Sequence, residues 1–331
     1  MEVEKILIVA PAWVGDMVMA HTLVQVLKGQ GVCEIHLLAP PATLPLADRM
    51  PGVSRAIVLS VGHGEIGLGK RRALGHELRK ETYSRALVLP NSLKSALVPF
   101  FANIPRRTGW QGEARFKLLN DRRVLDKTRY PLMIERFMAL ALPAGADLPQ
   151  PYPMPVLSAD PENLQRLLKD LDLRLDRGVV VLCPGAEFGP AKRWPAEHYA
   201  TVARHAIDSG SQVWLLGSPK DQADCADIRT RVPEAVNLAG RTRLVDAVDL
   251  MSVATAVICN DSGLMHVACA LGRRTIALYG STSPDFTPPL SEDALVLSEA
   301  LDCSPCFERT CPLIHMNCLR QLAPERVIEA L

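Results

Sequence analysis

The carboxylate of Asp16 lies in the stretch APAWVGDMVMA, between an apolar run and the apolar helix predicted to follow it. Gly15 permits a tight turn at this junction, and the N-terminus of a helix stabilises a nearby negative charge. An aspartate here could be a plain helix cap. It could also be a general base, because ligands bind at the carboxyl ends of parallel strands. Asp16 is therefore the first candidate catalytic residue, and the two roles are compatible.

Two stretches in the second half could bind a phosphate group. The first, CPGAEFGPAKRWP at 183–195, is rich in Gly and Pro, so backbone N–H groups and the cation of Lys192 could surround an anion. It could equally be an ordinary loop with surface cations. The second, NDSGLMHVACALG at 260–272, opens an apolar helix with Ser262 and Gly263, whose free N–H groups could hold a diphosphate.

The second stretch also has plainer interpretations. Asp261 or Ser262 could only cap the helix, and His266 on its first turn could be a packed core histidine. A dinucleotide-dependent oxidoreductase is disfavoured, because we expect no G-x-G-x-x-G fingerprint after any of the predicted strands. A complete G-x-x-x-x-G-K-[ST] motif is absent as well.

Cysteines fall into two groups. Cys303, Cys306, Cys311 and Cys318 form C-x2-C-x4-C-x6-C with His315 inside, and only the first pair has zinc-like spacing. We expect a compact, reduced loop there, with a structural metal or a disulfide as the alternatives. The other five lie in or beside apolar runs and are predicted to be buried thiols of a cytosolic protein. They are Cys33, Cys183, Cys225, Cys259 and Cys269.

The elements that must position these residues alternate between apolar runs and helix-like segments. In the first half the predicted strands are 5–11, 34–40, 55–60 and 85–90. A Pro-rich segment at 141–157 resembles a linker, after which the alternation resumes. Strands separated by helices indicate parallel sheets. The sequence therefore predicts two doubly wound α/β domains, residues 1–150 and 151–331.

Charge is distributed unevenly over the 331 residues. Residues 1–150 contain 20 Lys and Arg against 13 Asp and Glu, whereas residues 151–331 contain 17 against 23. The first half is therefore suited to an anionic partner. The chain is 48% hydrophobic and 22% charged, which is ordinary for a globular protein, and no apolar stretch is long enough to span a bilayer. The first residues lack the basic region of a signal peptide, which predicts a cytoplasmic protein.

Together these stretches resemble the bacterial lipopolysaccharide heptosyltransferases. The similarity is carried by the three stretches quoted above and by PLMIERFMALA at 131–141. A longer stretch, LPNSLKSALVPFFANIPRRTGWQGEARFKLLNDRRVLDK at 89–127, is similar to the branch of the family that adds the second heptose rather than the first. These segments keep the family's order and are spread over most of the chain.

The resemblance implies a GT-B fold, in which two Rossmann-like domains face each other across a cleft. Residues 1–150 would bind the acceptor, and residues 151–331 would bind ADP-L-glycero-β-D-manno-heptose. Heptose would pass, with inversion, to the first heptose of the lipopolysaccharide inner core, without a metal or cofactor. The alternatives are transfer to Kdo-lipid A, as by the first-heptose enzyme, and a nucleotide-binding sensor that performs no catalysis.

The resemblance also assigns roles to residues. Asp16 corresponds to the family's catalytic aspartate, Lys192 to the lysine that neutralises the departing ADP, and Asp261 to an acid that contacts the donor sugar. The candidate donor-binding residues are Lys192, Asp261, Ser262, Gly263 and His266.

The basic first half suits the strongly anionic lipid A and phosphorylated core that such an acceptor carries. The candidate acceptor-binding residues are Lys70, Arg71, Arg72, Arg106, Arg107 and Arg115. The same surface could hold the enzyme on the cytoplasmic face of the inner membrane, as a peripheral membrane protein. A nucleic-acid-binding protein could also use a basic half, and it would bind any duplex in a salt-sensitive way. The resemblance instead implies a lipid A acceptor, so we expect no nucleic-acid partner.

Overall fold

The chain divides into two compact units, residues 1–155 and residues 156–331. The computed structural model describes residues 4–32, 34–62 and 64–331. The division falls inside the Pro-rich segment 141–157, five residues after the predicted boundary, which follows residue 150. Among the described residues, no helix combines the length and the apolar character needed to cross a bilayer.

Each unit is built on a six-stranded sheet whose pairings are all parallel. The strands of the first unit are β1 (Lys5–Val9), β2 (Glu34–Ala39), β3 (Arg55–Val58), β4 (Arg85–Val88), β5 (Arg106–Trp110) and β6 (Asp121–Arg123). Those of the second are β7 (Val179–Cys183), β8 (Gln212–Leu215), β9 (Val236–Asn237), β10 (Ala256–Asn260), β11 (Arg274–Tyr279) and β12 (Ala294–Ser298).

Helices lie between the strands of both units, and in the second unit two more follow the last strand. In the first unit they are α1 (Val14–Met19), α2 (His21–Gly29), α3 (Leu68–Leu78), α4 (Leu97–Phe101) and α5 (Met133–Ala141). In the second they are α6 (Pro161–Asp170), α7 (Ala196–Asp208), α8 (Gln222–Arg231), α9 (Leu244–Met251), α10 (Gly263–Ala270), α11 (Asn317–Arg320) and α12 (Pro324–Ile328).

Both sheets have the same strand order. It is β3-β2-β1-β4-β5-β6 in the first unit and β12-β11-β10-β7-β8-β9 in the second, so the order reverses beside β1 and beside β7. In doubly wound sheets, ligands bind outside the carboxyl ends of the strands at this reversal. The loops after β1, β7 and β10 are therefore the ones best placed to hold a ligand.

The apolar runs form the centres of the sheets, as predicted. All five residues of β7 and all five of β10 are buried, because helices cover both faces of a parallel sheet. The thiols of Cys183, Cys225, Cys259 and Cys269 are free and buried, which confirms the prediction for these four. Cys33 lies outside the described residues.

Strands β5 and β6 were not among the predicted strands, because their sequences, RRTGW and DRR, are polar. Polar contacts around Asp121 join them: its Oδ2 accepts hydrogen bonds from Thr108 Oγ1 at 2.9 Å, from Arg106 at 3.0 Å and from Arg123 at 3.1 Å. Burial alone would raise the pKa of Asp121, but the hydrogen bonds from Arg123, Thr108 and Arg106 lower it to about 2. Side-chain hydrogen bonds therefore hold β5 and β6 together, whereas apolar packing stabilises the inner strands.

Candidate functional site

Lys192, Asp261 and Thr282 meet at the carboxyl ends of β7, β10 and β11. Lys192 Nζ lies 2.5 Å from Asp261 Oδ2, and Thr282 Oγ1 donates a hydrogen bond of 2.6 Å to the same oxygen. The side chains of Lys192 and Asp261 are only 13% and 5% exposed. A cation is thus fixed at the point where the strand order reverses. Lys192 and Asp261 are predicted site residues, whereas Thr282 is not, although its loop, GSTSPDFTPP, also follows a buried strand.

Asn260, the last residue of β10, fastens the Lys192 loop to the sheet. It is fully buried. Its Oδ1 accepts hydrogen bonds of 3.1 Å from the backbone N–H of Trp194 and from the hydroxyl of Tyr199. Its Nδ2 donates to the carbonyl oxygen of Pro184 at 2.7 Å. The sequence signal for this positioning role was a polar residue closing an otherwise apolar strand.

The N-terminus of α10 carries no capping side chain. Ser262 is the N-cap residue, yet its hydroxyl makes no capping hydrogen bond. The carboxylate of Asp261 is engaged by Lys192 and Thr282. The interpretation of Asp261 or Ser262 as a simple cap is therefore corrected. The first turn, beginning at Gly263, presents backbone N–H groups and a partial positive charge suited to an anion.

His266 lies on this first turn and is 5% exposed. Its Nδ1 has no hydrogen-bond partner among the described residues. Burial lowers the pKa of the imidazole to about 4, so the ring is neutral at physiological pH. It can offer a ligand one donor and one acceptor nitrogen, but no charge.

Asp16 is the third residue of α1, whose N-cap is Trp13. The structure corrects the expectation that Asp16 caps the helix, since α1 begins at Val14 rather than after Asp16. The carboxyl group is half-buried, and burial raises its pKa to about 6. Such a group is ionised at pH 7.5 and is more basic than an ordinary aspartate, which suits a general base.

The six basic candidates of the first unit differ in exposure. Lys70 and Arg72, both on α3, are exposed to solvent. Arg106 is exposed but forms an ion pair of 3.0 Å with Asp121. Arg107 is half-buried, and its guanidinium donates to the carbonyl oxygens at Leu118 and Ile104. Lys70 and Arg72 are therefore the candidates best placed to meet a ligand in solution.

Arg71 and Arg115 are buried, which corrects the expectation that they present their charge on a surface. Arg71 is 5% exposed, and its Nε donates to the carbonyl oxygen of Ile66 at 2.7 Å. Arg115 is 1% exposed. Its guanidinium donates to the carbonyl oxygens of Pro90 at 2.7 Å and of Trp110 at 2.5 Å. Both arginines donate hydrogen bonds to backbone carbonyl oxygens inside the unit.

We expect Arg115→Met to destabilise the protein. The substitution leaves buried carbonyl oxygens without donors, so the free energy of unfolding should fall by about 2–4 kcal/mol. Urea unfolding measures this change. Lys117→Met, at an exposed position two residues away, is the control and should change stability by less than about 0.5 kcal/mol. A stable Arg115→Met variant with weakened acceptor binding would instead assign Arg115 to recognition.

The cysteine loop, residues 303–318, is irregular before α11. Cys303, Cys306, Cys311 and Cys318 are free thiols of intermediate exposure, and they line one small cavity together with His315. In the described part of the chain, no three His, Cys, Asp or Glu side chains are arranged to hold a metal ion. The free thiols agree with the predicted reduced loop rather than with a disulfide.

The expectation that no G-x-G-x-x-G follows a strand is wrong, because this spacing occurs once in the sequence, at Gly62, Gly64 and Gly67, after β3 and before α3. β3 is an edge strand, away from the reversal of strand order where a dinucleotide binds. The N–H group of Gly62 donates a hydrogen bond of 3.3 Å to the carboxylate of Glu65. This segment therefore does not lie at the place in the sheet where a dinucleotide-binding turn is found.

Comparisons of this sequence with a family model and with known proteins point to the same group of enzymes. The model of glycosyltransferase family 9 (heptosyltransferase) matches residues 71–317. Lipopolysaccharide heptosyltransferase 2 of Salmonella typhimurium is 47% identical, with 99% of this chain and 97% of that protein covered. Lipooligosaccharide heptosyltransferase 2 of Haemophilus influenzae is 50% identical, with 88% of each chain covered.

A solved structure supports the same relationship. The structure of Escherichia coli ADP-heptose lps heptosyltransferase II superimposes with a TM-score of 0.89 at 45% identity, covering 98% of this chain and 97% of that one. The predicted GT-B fold class is thereby confirmed. Because 98% of this chain is covered, the similarity extends over both units.

Proposed function

Because the chain belongs to glycosyltransferase family 9, the heptosyltransferases, we propose that it transfers heptose from ADP-L-glycero-β-D-manno-heptose to the first heptose of the lipopolysaccharide inner core. The observation that carries this proposal is the similarity, over almost the whole chain, to proteins named heptosyltransferase 2. The first unit would bind the acceptor and the second unit the donor.

The proposed reaction is a single displacement that inverts the anomeric centre. The acceptor hydroxyl oxygen forms a bond to the anomeric carbon, and the bond from that carbon to the β-phosphate oxygen breaks. Asp16 takes the proton of the attacking hydroxyl, and the electron pair leaves with ADP. A pKa of about 6 supports this role, since the carboxylate is mostly ionised at pH 7 but still accepts a proton readily.

Charge on the departing ADP would be neutralised from the second unit. Lys192, fixed by Asp261 and Thr282, supplies a full positive charge, and the N-terminus of α10 adds backbone N–H groups at Ser262 and Gly263. Asp261 would contact the donor sugar, and neutral His266 would contribute a hydrogen bond. Because these groups supply the positive charge, transfer should proceed unchanged in EDTA.

The acceptor would be held by exposed basic residues of the first unit, chiefly Lys70 and Arg72. Its phosphate groups and its lipid A anchor both carry negative charge close to a membrane surface. We therefore propose that the enzyme works at the cytoplasmic face of the inner membrane as a peripheral protein.

Transfer assays with two acceptors test the proposal. The purified protein is given ADP-heptose and either an inner-core lipid A that bears one heptose or the same acceptor without it. We expect transfer only to the acceptor that bears heptose. Transfer only to the other acceptor would identify a first-heptose enzyme. ADP binding without transfer to either would favour a nucleotide sensor.

A further inference from the structure

The cysteine loop lies against both loops that build the proposed donor site. Ser304 Oγ donates a hydrogen bond of 2.6 Å to the carbonyl oxygen of Gly280. The N–H group of Phe307 donates to the carbonyl oxygen of Ser281, also at 2.6 Å. These two acceptors directly precede Thr282, which holds Asp261. The cysteine loop is thus attached to one side of the Lys192–Asp261 ion pair.

Arg309 attaches the cysteine loop to the other side, the loop that carries Lys192. Its carbonyl oxygen accepts a hydrogen bond of 3.1 Å from the N–H group of Ala191. The backbones approach so closely at Gly189 that a Cβ there would collide with this carbonyl group. Glycine is therefore required at 189 to let Arg309 reach the residue that precedes Lys192.

The side chains of Arg309 and Lys192 share one aromatic ring. Lys192 Nζ lies 4.9 Å from the centroid of Phe188, and Arg309 Cζ lies 5.3 Å from it. Both distances lie in the range of cation–π attraction. Phe188 is half-buried, whereas Arg309 is exposed and forms the outer side of this arrangement.

Backbone conformation indicates that the contacts hold the cysteine loop in its shape. Phe307 has φ 58° and Ile314 has φ 66°, in the left-handed region that side-chain-bearing residues rarely adopt. A β-branched residue such as Ile314 is particularly disfavoured there. Residues in such conformations persist where the surrounding structure over-determines them, and they cluster at functional sites.

We propose that Arg309 is a positioning residue for Lys192, acting through Phe188; the inference rests on the proposed function, in which Lys192 stabilises the departing ADP. A lysine ammonium stands on a flexible four-carbon stem, so it needs fixed neighbours to stay at one point. Asp261 and Thr282 hold it on one side. The ring of Phe188, fixed by the Arg309 guanidinium, supports it on the other side when a diphosphate competes for its hydrogen bonds.

Steady-state kinetics of Arg309 variants test this proposal. Arg309→Ala should lower kcat for heptose transfer about 10-fold while the donor KM changes less than about twofold, because the ammonium is displaced from the leaving group. Arg309→Lys, which keeps a cation on the ring, should recover most of the loss. Arg320→Ala removes another exposed arginine just past the end of the cysteine loop and should leave both parameters unchanged.

A double variant decides whether Arg309 acts through Lys192. In a Lys192→Ala background, Arg309→Ala should cause no further loss, since the group that it positions is gone. The same 10-fold loss in that background would show a direct role for Arg309 and overturn the proposal, as would wild-type kcat in Arg309→Ala. Failure of the proposed function would give a different result from failure of the Arg309 proposal. The unmodified protein would then transfer no heptose, or Lys192→Ala would retain full activity.

Discussion

Asp16→Asn is expected to lower kcat by about 10²–10⁴-fold while the affinity for ADP stays within about twofold of the unmodified protein. The amide has nearly the shape of the carboxyl group but cannot accept the proton of the attacking hydroxyl. Asp16 belongs to the first unit, whereas the proposed ADP contacts lie in the second. Transfer assays and calorimetric titration with ADP measure the two quantities separately.

The pH dependence of the unmodified enzyme is the second part of this prediction. Burial raises the pKa of Asp16 to about 6. Below that pH the base is protonated, so kcat/KM for the acceptor should fall about tenfold per pH unit and level off above pH 7. Asp48→Asn, at an exposed position of the same unit, is the matched control and should keep both the rate and the profile. Substantial turnover by Asp16→Asn would exclude Asp16 as the base.

The free energy of unfolding of Asp16→Asn tests the burial of the Asp16 carboxyl group independently. A carboxyl group whose pKa is higher in the folded than in the unfolded state lowers the free energy of unfolding at pH values where both states are ionised. Below the pKa of the unfolded state it has no such effect. Asp16→Asn should therefore increase the free energy of unfolding at pH 8 by about 1–2 kcal/mol, allowing for the group's partial exposure. The gain should vanish below about pH 4. A variant that loses turnover while gaining stability is not inactive through misfolding.

Lys192→Ala is expected to lower kcat by about 10²–10³-fold and to weaken ADP binding. The ammonium is the full positive charge at the proposed position of the diphosphate, and removal of one such fixed group typically has an effect of this size. The substitution also leaves Asp261, which is 5% exposed, without its cation, and the repulsion between that carboxylate and a phosphate adds to the loss.

Two further variants separate these contributions. Lys192→Ala combined with Asp261→Asn removes the uncompensated charge, so it should recover ADP affinity but not kcat. Lys169→Ala, on the exposed face of α6, is the charge-matched control and should behave as the unmodified protein. Wild-type kinetics in Lys192→Ala would contradict the role of Lys192 at the leaving group. Full recovery of kcat in the double variant would show that Lys192 only neutralises the charge of Asp261.

The sequence by itself determined the architecture of both units. Continuous apolar runs such as VVVLC and AVICN can be buried on both faces only in a parallel sheet, and the helices between them supply the cover. The chain order then places the loops after β1, β7 and β10 at the reversal of strand order. For this reason Asp16, Lys192 and Asp261 could be selected before any distance was known.

Tertiary structure decided which charged groups are available for chemistry. Arg115 and Lys70 were equivalent as basic residues of one segment, but one is 1% exposed and bound to carbonyl oxygens, whereas the other lies in solvent. Exposure, desolvation and pKa depend on what the rest of the chain packs around a group, and local sequence does not contain that information. The same holds for Thr282, which reaches Asp261 only because β10 and β11 are neighbours in the folded sheet.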